Sequence, residues 1–356
     1  MYEAISANKW KSFAMLFIFI VFVVALGYVI GLAWGGTTHP QFAFIGLGIA
    51  GVIAIVMGLV SYYKSDKIAL SVSGARPVGD DPQFIRYRNA VEGLAIAAGI
   101  PTPQAYVIDD PSPNAFATGR NPQNSSIAAT TGLLDMMNDQ ELQGVIGHEM
   151  SHVKNYDILL LTMTIVLVGT VIMMSDIFLR TFWLGDSDSD SGEAGIILLV
   201  IGIAFAIIAP IVAQLIKLAI GRKREYLADA NGALLTRYPP GLANALRKIE
   251  GDEHQLRRAN KATAHLYIAQ PLKTKEGKGS RLNRLFDTHP PIEDRIARLD
   301  TMAHEFHEID PGQVQAGQVP QQPPAPQGAQ PPQAAQAVQA PPPPPSSTPP
   351  GAAGWK

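Results

Sequence analysis

Four stretches of the chain show no polar periodicity. Ser12 to Trp34 and Phe42 to Tyr63 are uncharged over the roughly 20 residues needed to cross a bilayer. Ile158 to Phe178 and Ala194 to Ile220 continue the pattern, the last interrupted by Pro210 and carrying Lys217 where it can snorkel to headgroups. Helices that are apolar on every face and this long predict two membrane hairpins rather than buried hairpins of a soluble core. The first run exceeds a signal-peptide apolar region, shows no clear cleavage site and is followed by a second span, so it is read as retained. Its Gly27 and Gly31 form a GxxxG, which lets another helix approach closely or simply reflects how common glycine is in such helices.

Between and after the hairpins the pattern changes. Asp81 followed by Pro82 predicts a helix start, running toward Gly99. AYVID at 105–109 and SSIAATTG at 125–132 read as short strands separated by turn-rich PSPN and GRNPQN. Asn138 with Glu141 forms a capping box that opens a further helix. The expected organisation is a membrane hairpin at 1–63, a catalytic part at 64–157, a second hairpin at 158–220, a second catalytic part at 221–308 and a tail at 309–356.

Charge orients this arrangement. Lys9, Lys11, Lys64, Lys67, Arg222, Lys223 and Arg224 flank the spans on one side, while the connection 35–41 has no Lys or Arg and 180–193 is acidic. Positive-inside bias places both termini and residues 64–157 in the cytoplasm. A net charge of −2 over 356 residues suggests no nucleic-acid partner, and the absence of cysteine excludes disulfides and every thiolate metal site.

The chemistry begins at HEMSH, 148–152, on the helix that Asn138 opens. His148 and His152 lie one turn apart on one face and can share a metal ion, while Glu149, one step round, can reach a water without ligating the metal. This is the donor pattern of a zinc hydrolase. The extended metzincin pattern fails, because Asn155 and Ile158 stand where Gly and His would be needed. A glutamate about twenty residues downstream would fall inside the third span. Asp186, Asp188, Asp190 and Glu193 lie across the membrane if the second hairpin spans. Glu225, in REYLAD, is the first glutamate back on the cytoplasmic side, and Asp229, one turn on, is placed to hold a ligating histidine from outside the coordination sphere.

HEMSH at 148–152, EYLAD at 225–229, NAFATG at 114–119 and FDTHPPIEDRI at 286–296 together resemble the HtpX family of membrane-embedded zinc metallopeptidases, relatives of the CAAX prenyl endopeptidases. The resemblance implies a helix-rich α+β zincin-like domain combined with four transmembrane helices. It implies one zinc on His148, His152 and Glu225, and catalysis by Glu149. It further implies cleavage of misfolded or damaged membrane proteins at the cytoplasmic face of a prokaryotic cytoplasmic membrane. Asn114, Ala115 and Phe116 resemble the region that supplies a strand for extended substrate backbone. His289 or Arg295 would help stabilise the oxyanion, or the segment from Thr288 to Pro291 only starts an amphipathic helix bearing Ile292, Ile296 and Leu299.

The tail departs from the family pattern. Residues 311–356 are rich in Pro, Gln and Ala and carry no charge before Lys356, which predicts disorder with polyproline-II stretches. It is an inert extension or a ligand for a proline-recognising partner. Two other functions fit part of the sequence: a CAAX-type processing peptidase, and a catalytically idle scaffold that displays the tail. The intact site residues argue against the second.

Overall fold

The computed structural model describes residues 2–35, 39–183, 221–254, 256–257, 266–268 and 290–308. The expected fourth span, His289 and the tail lie outside the described residues.

Two long apolar helices open the chain, α1 (Tyr2–Gly35) and α2 (Gln41–Ser73). Both are long and apolar enough to cross a membrane. Phe13, Phe17, Phe44 and Val52 are each more than half exposed, an outward apolar surface that water would penalise and lipid would not. The two helices meet backbone to backbone. A methyl group on Gly31 would lie 2.2 Å from the Phe42 carbonyl oxygen, and one on Gly46 would lie 2.3 Å from that of Gly27. The GxxxG is therefore the contact of this hairpin, and the absence of side chains there lets the helices approach. The helix α2 outlasts its apolar run by ten residues, through Lys64 and Lys67, and ends at Gly74, whose φ of 70° closes the cap onto Leu70.

A small mixed sheet follows, formed by β1 (Arg76–Pro77), β2 (Gln104–Ile108), β3 (Ala115–Asn121) and β4 (Asn124–Thr130) in the order β1-β2-β4-β3. β2 runs parallel to β4, and β3 antiparallel to it. The alternation rule fails for β3 because Ala115 through Gly119 are buried on both faces. Thr130 ends β4 two residues earlier than the sequence suggests, because its hydroxyl caps the helix α4 (Thr131–Met136) at the Leu133 N–H. The expected helix near Asp81 is a short 3-10 turn, Pro82–Phe84, leading into α3 (Ile85–Ala98), with Gly99 as its left-handed cap.

The helix α5 (Asp139–Lys154) is the centre of the domain. Its capping box forms as expected, with the Asn138 side chain accepting from the Glu141 N–H and Glu141 accepting from the Asn138 N–H, both at 2.9 Å. It packs against α3, β3, α7 (Arg222–Thr236) and α8 (Pro239–Gly251), while α9 (Ile292–Glu308) lies on α7 and α8. After α5 the chain bends by 83° into α6 (Asp157–Trp183). The first half of α6 is buried against α1, α2 and β3, and its Thr164 and Thr170 hydroxyls bond back to carbonyls one turn earlier.

Glycines also set the approach of α7 and α8 to α5. A methyl group on Gly241 would lie 2.5 Å from the Gln140 oxygen, and one on Gly232 would lie 2.8 Å from the His148 nitrogen. Gly93, by contrast, is exposed within α3 with open space around it. Gly232→Ala should therefore destabilise the fold by about 1–3 kcal/mol through overpacking. Gly93→Ala should gain up to about 1 kcal/mol of helix propensity. Denaturant unfolding of the detergent-solubilised protein reads the opposite signs.

Candidate metal centre

The α5 helix carries His148, Glu149 and His152, all buried. The two imidazole Nε2 atoms stand 3.2 Å apart, with the ring planes nearly perpendicular. The close crossing at Gly232 lays α7 beside them and brings in Glu225. Its Oε2 lies 3.8 Å from His148 Nε2, and its Oε1 lies 3.6 Å from His152 Nε2. One donor atom from each of the three residues fits within 4.8 Å of the others.

Each imidazole is held from behind by a carboxylate. His148 Nδ1 lies 2.9 Å from Asp229 Oδ1, and His152 Nδ1 lies 3.1 Å from Asp157 Oδ2. A carboxylate accepts, so each Nδ1 carries the proton and each Nε2 presents a lone pair, an assignment inferred from the partners. Two lone pairs facing each other at 3.2 Å repel unless a proton or a metal ion lies between them. The donor set of two neutral nitrogens and one carboxylate oxygen suits zinc, with room for a fourth ligand. The surroundings agree: Glu149, Asp157, Glu225 and Asp229 are buried carboxylates, and only Arg295 among the described residues is a fully buried guanidinium.

Arg295 turns its fork onto Asp229, with Nε 2.8 Å from Oδ2 and Nη2 2.7 Å from Oδ1. Its Nη1 donates to the Ile268 carbonyl at 2.9 Å and lies 3.9 Å from Glu225 Oε2. The structure therefore places Arg295 behind His148, with its fork on Asp229 and one Nη1 proton on the Ile268 carbonyl. His152 has a comparable support that the sequence did not signal: Asp157 accepts from Asn8 of α1 at 2.6 Å and lies 3.5 Å from Arg224.

Electrostatics follow from burial and pairing. Burial pushes the Glu149 carboxyl up to about 7, assisted by Glu225 and opposed by His152, the Ala117 N–H and Arg295. Burial lowers His148 against the Asp229 hydrogen bond, and Arg295 adds to the lowering. Burial also disfavours charge on His152, but the Asp157 hydrogen bond and the charge of Glu225 outweigh it and raise the ring to about 9. Burial opposes ionisation of Asp229, yet Arg295 and His148 hold it down at about 2. A proton and a metal ion compete for the space between the facing nitrogens.

The strand β3 lies alongside. Just before it, the Asn114 carbonyl accepts from the Thr130 N–H of β4, so alternate peptides face the other way, toward the site. On that outer edge the Ala115 carbonyl accepts from the Ile268 N–H at 3.0 Å, and the Ala117 N–H bonds to Glu149. Ala115 and Ala117 thus present peptide groups beside the metal centre. Asn114 binds within the strand, its Oδ1 accepting from the Ala115 N–H, and Phe116 turns its ring into the core against Tyr267. Phe116 therefore offers the site no side chain.

Residues 83–303 match peptidase family M48. The chain belongs to that family. Among relatives named "Protease HtpX homolog", that of Dictyoglomus turgidum is 44% identical over 312 residues, covering 87% of this chain and 97% of its own. That of Caldanaerobacter subterraneus subsp. tengcongensis is 45% identical over 304 residues, covering 84% and 96%. A solved structure, S. mikatae Ste24p, is 18% identical with a TM-score of 0.41, covering 84% of this chain and 67% of that one; so slight a likeness carries no argument. The chain is thus an HtpX-type M48 metallopeptidase, and its two apolar helices make it a membrane protein. As a protease it acts on protein substrates.

Arg295→Met in this M48 site leaves Asp229 buried without its counter-charge, so metal affinity should fall by about 10–100-fold, as for other outer partners of metal ligands. Arg295→Lys should recover little, because one ammonium cannot grip both carboxylate oxygens at once. Chelator competition on the purified variants measures both.

Proposed function

We propose that this protein is a zinc-dependent endopeptidase of a prokaryotic cytoplasmic membrane that cleaves misfolded or damaged membrane proteins at the cytoplasmic face. The observation that carries the reading is the convergence of His148, His152 and Glu225 beside Glu149, at a bend that leads directly into the apolar helix α6. A site so close to the membrane suits substrates that emerge from the bilayer. His148, His152 and Glu225 would hold one zinc, and Asp229 would orient His148. Zinc, when bound, would polarise the scissile carbonyl and ease the deprotonation of water in the site. Glu149, with its carboxyl raised to about 7, would accept the proton of the attacking water and pass it to the leaving amine. Residues Asn114, Ala115 and Phe116 would align an extended substrate backbone along the outer edge of β3, where it would take the place of the Ile268 N–H now paired with the Ala115 carbonyl. His289 or Arg295 would help stabilise the oxyanion, Arg295 from its anchorage on Asp229.

In this reading, residues 158–220 form a second membrane hairpin, so that four spans carry a catalytic domain assembled from 64–157 and 221–308. The Lys and Arg residues at 9, 11, 64, 67 and 222–224 support placing that domain in the cytoplasm.

Glu149→Gln removes the base but no ligand. It should keep full metal content while proteolysis of a casein substrate falls by about 10²–10⁴-fold. Near-normal turnover in that variant would contradict the assigned role. For topology, a cysteine replacing Ser189 should react only with reagents applied from outside intact cells, and one replacing exposed Gln123 only after permeabilisation. Equal protection of both would mean that the second hairpin does not cross.

A further inference from the structure

The amino-terminal helix does more than anchor the chain. Asn8 of α1 is buried, and its amide directs one proton to the Asn155 carbonyl at 3.0 Å and the other to Asp157 Oδ1 at 2.6 Å. The other oxygen of Asp157 accepts from His152. The next residue on α1, Lys9, sets its ammonium 4.5 Å from the centre of the Tyr156 ring. Asn8 and Lys9 therefore grip the three residues, Asn155 to Asp157, through which the chain bends by 83° between α5 and α6. That bend needs support, because Tyr156 adopts a φ of 61°, a left-handed conformation that a bulky side chain disfavours.

We propose that α1 is a structural part of the metal centre, with Asn8 a positioning residue that holds Asp157 in the orientation in which Asp157 fixes His152. This rests on reading His148, His152 and Glu225 as the metal ligands. Without Asn8, the close ion-pair partner of Asp157 Oδ1 from another element among the described residues is Arg224, at 3.5 Å. The carboxylate is then free to rotate toward that guanidinium and release the His152 ring. A chain whose first membrane helix is not docked on the bend would have a slack zinc site, so assembly of the centre is coupled to seating of the hairpin. Such coupling would keep a protease inactive until it is embedded.

Zinc affinity of the full-length protein in detergent, measured by competition with a chromophoric chelator, tests this without relying on turnover. Asn8→Ala should weaken zinc binding by about tenfold, the lower end for outer partners of metal ligands. The isosteric Asn8→Asp, which sets a carboxylate against Asp157, should weaken it further and preserves packing if the alanine variant does not fold. Ser12→Ala, which removes only a hydroxyl bonded within α1 to the Asn8 carbonyl, should leave zinc affinity unchanged. In an Asp157→Ala background, Asn8→Ala should cause no additional loss. Wild-type affinity in both Asn8 variants would overturn the proposal, as would an Asn8 effect of equal size in the two backgrounds, which would mark general packing. A wild-type protein that takes up no zinc would instead remove the underlying ligand assignment.

Discussion

A buried charge must be paired, and this constraint organises the molecule. His148, Glu149, His152, Asp157, Glu225, Asp229 and Arg295 are each no more than 5% exposed. An unpaired charge on any one of these side chains would cost several kcal/mol of desolvation. The structure resolves the difficulty in layers. Carboxylates hold the imidazoles, a bidentate guanidinium holds one carboxylate, and an amide from the first helix holds the other. The remaining excess of negative charge, and the two nitrogen lone pairs that face each other, are what a divalent cation satisfies.

This layered pairing requires helices closer together than side chains normally allow. Gly147 and Gly144 of α5, with Gly232 and Gly241 opposite, let α7 and α8 touch α5 through their backbones, which brings Glu225 and Asp229 within reach of the histidines. The hairpin of α1 and α2 uses the same device at Gly27, Gly31 and Gly46. In one place it brings ligands together. In the other it narrows the hairpin that carries Asn8 to the base of the site.

Much of this was legible in the sequence, for physical reasons. The HEMSH spacing, the capping box at Asn138 and the apolar runs of α1 and α2 are local patterns, and each emerged as read. Glu225 and Asp229 could be found because the intervening apolar runs, 158–178 and 194–220, contain no carboxylate but Asp176. Asp157 was hidden by its position at the start of a helix, where acidic residues are common, and Asn8 by its separation of 147 and 149 residues from Asn155 and Asp157. The strand β3 escaped pattern reading because both of its faces are buried. The direction in which Arg295 points depends on packing among α7, α9 and residue 268, which no short-range rule contains.

The most direct test of the account is the metal content of Glu225→Ala beside that of the wild type, purified identically. Removing the one anionic ligand leaves two neutral imidazoles, too few donors to retain the ion through purification. The account predicts about one zinc per wild-type chain and little in the variant, with excess zinc failing to restore proteolysis. Stoichiometric zinc in Glu225→Ala, with normal cleavage, would contradict it.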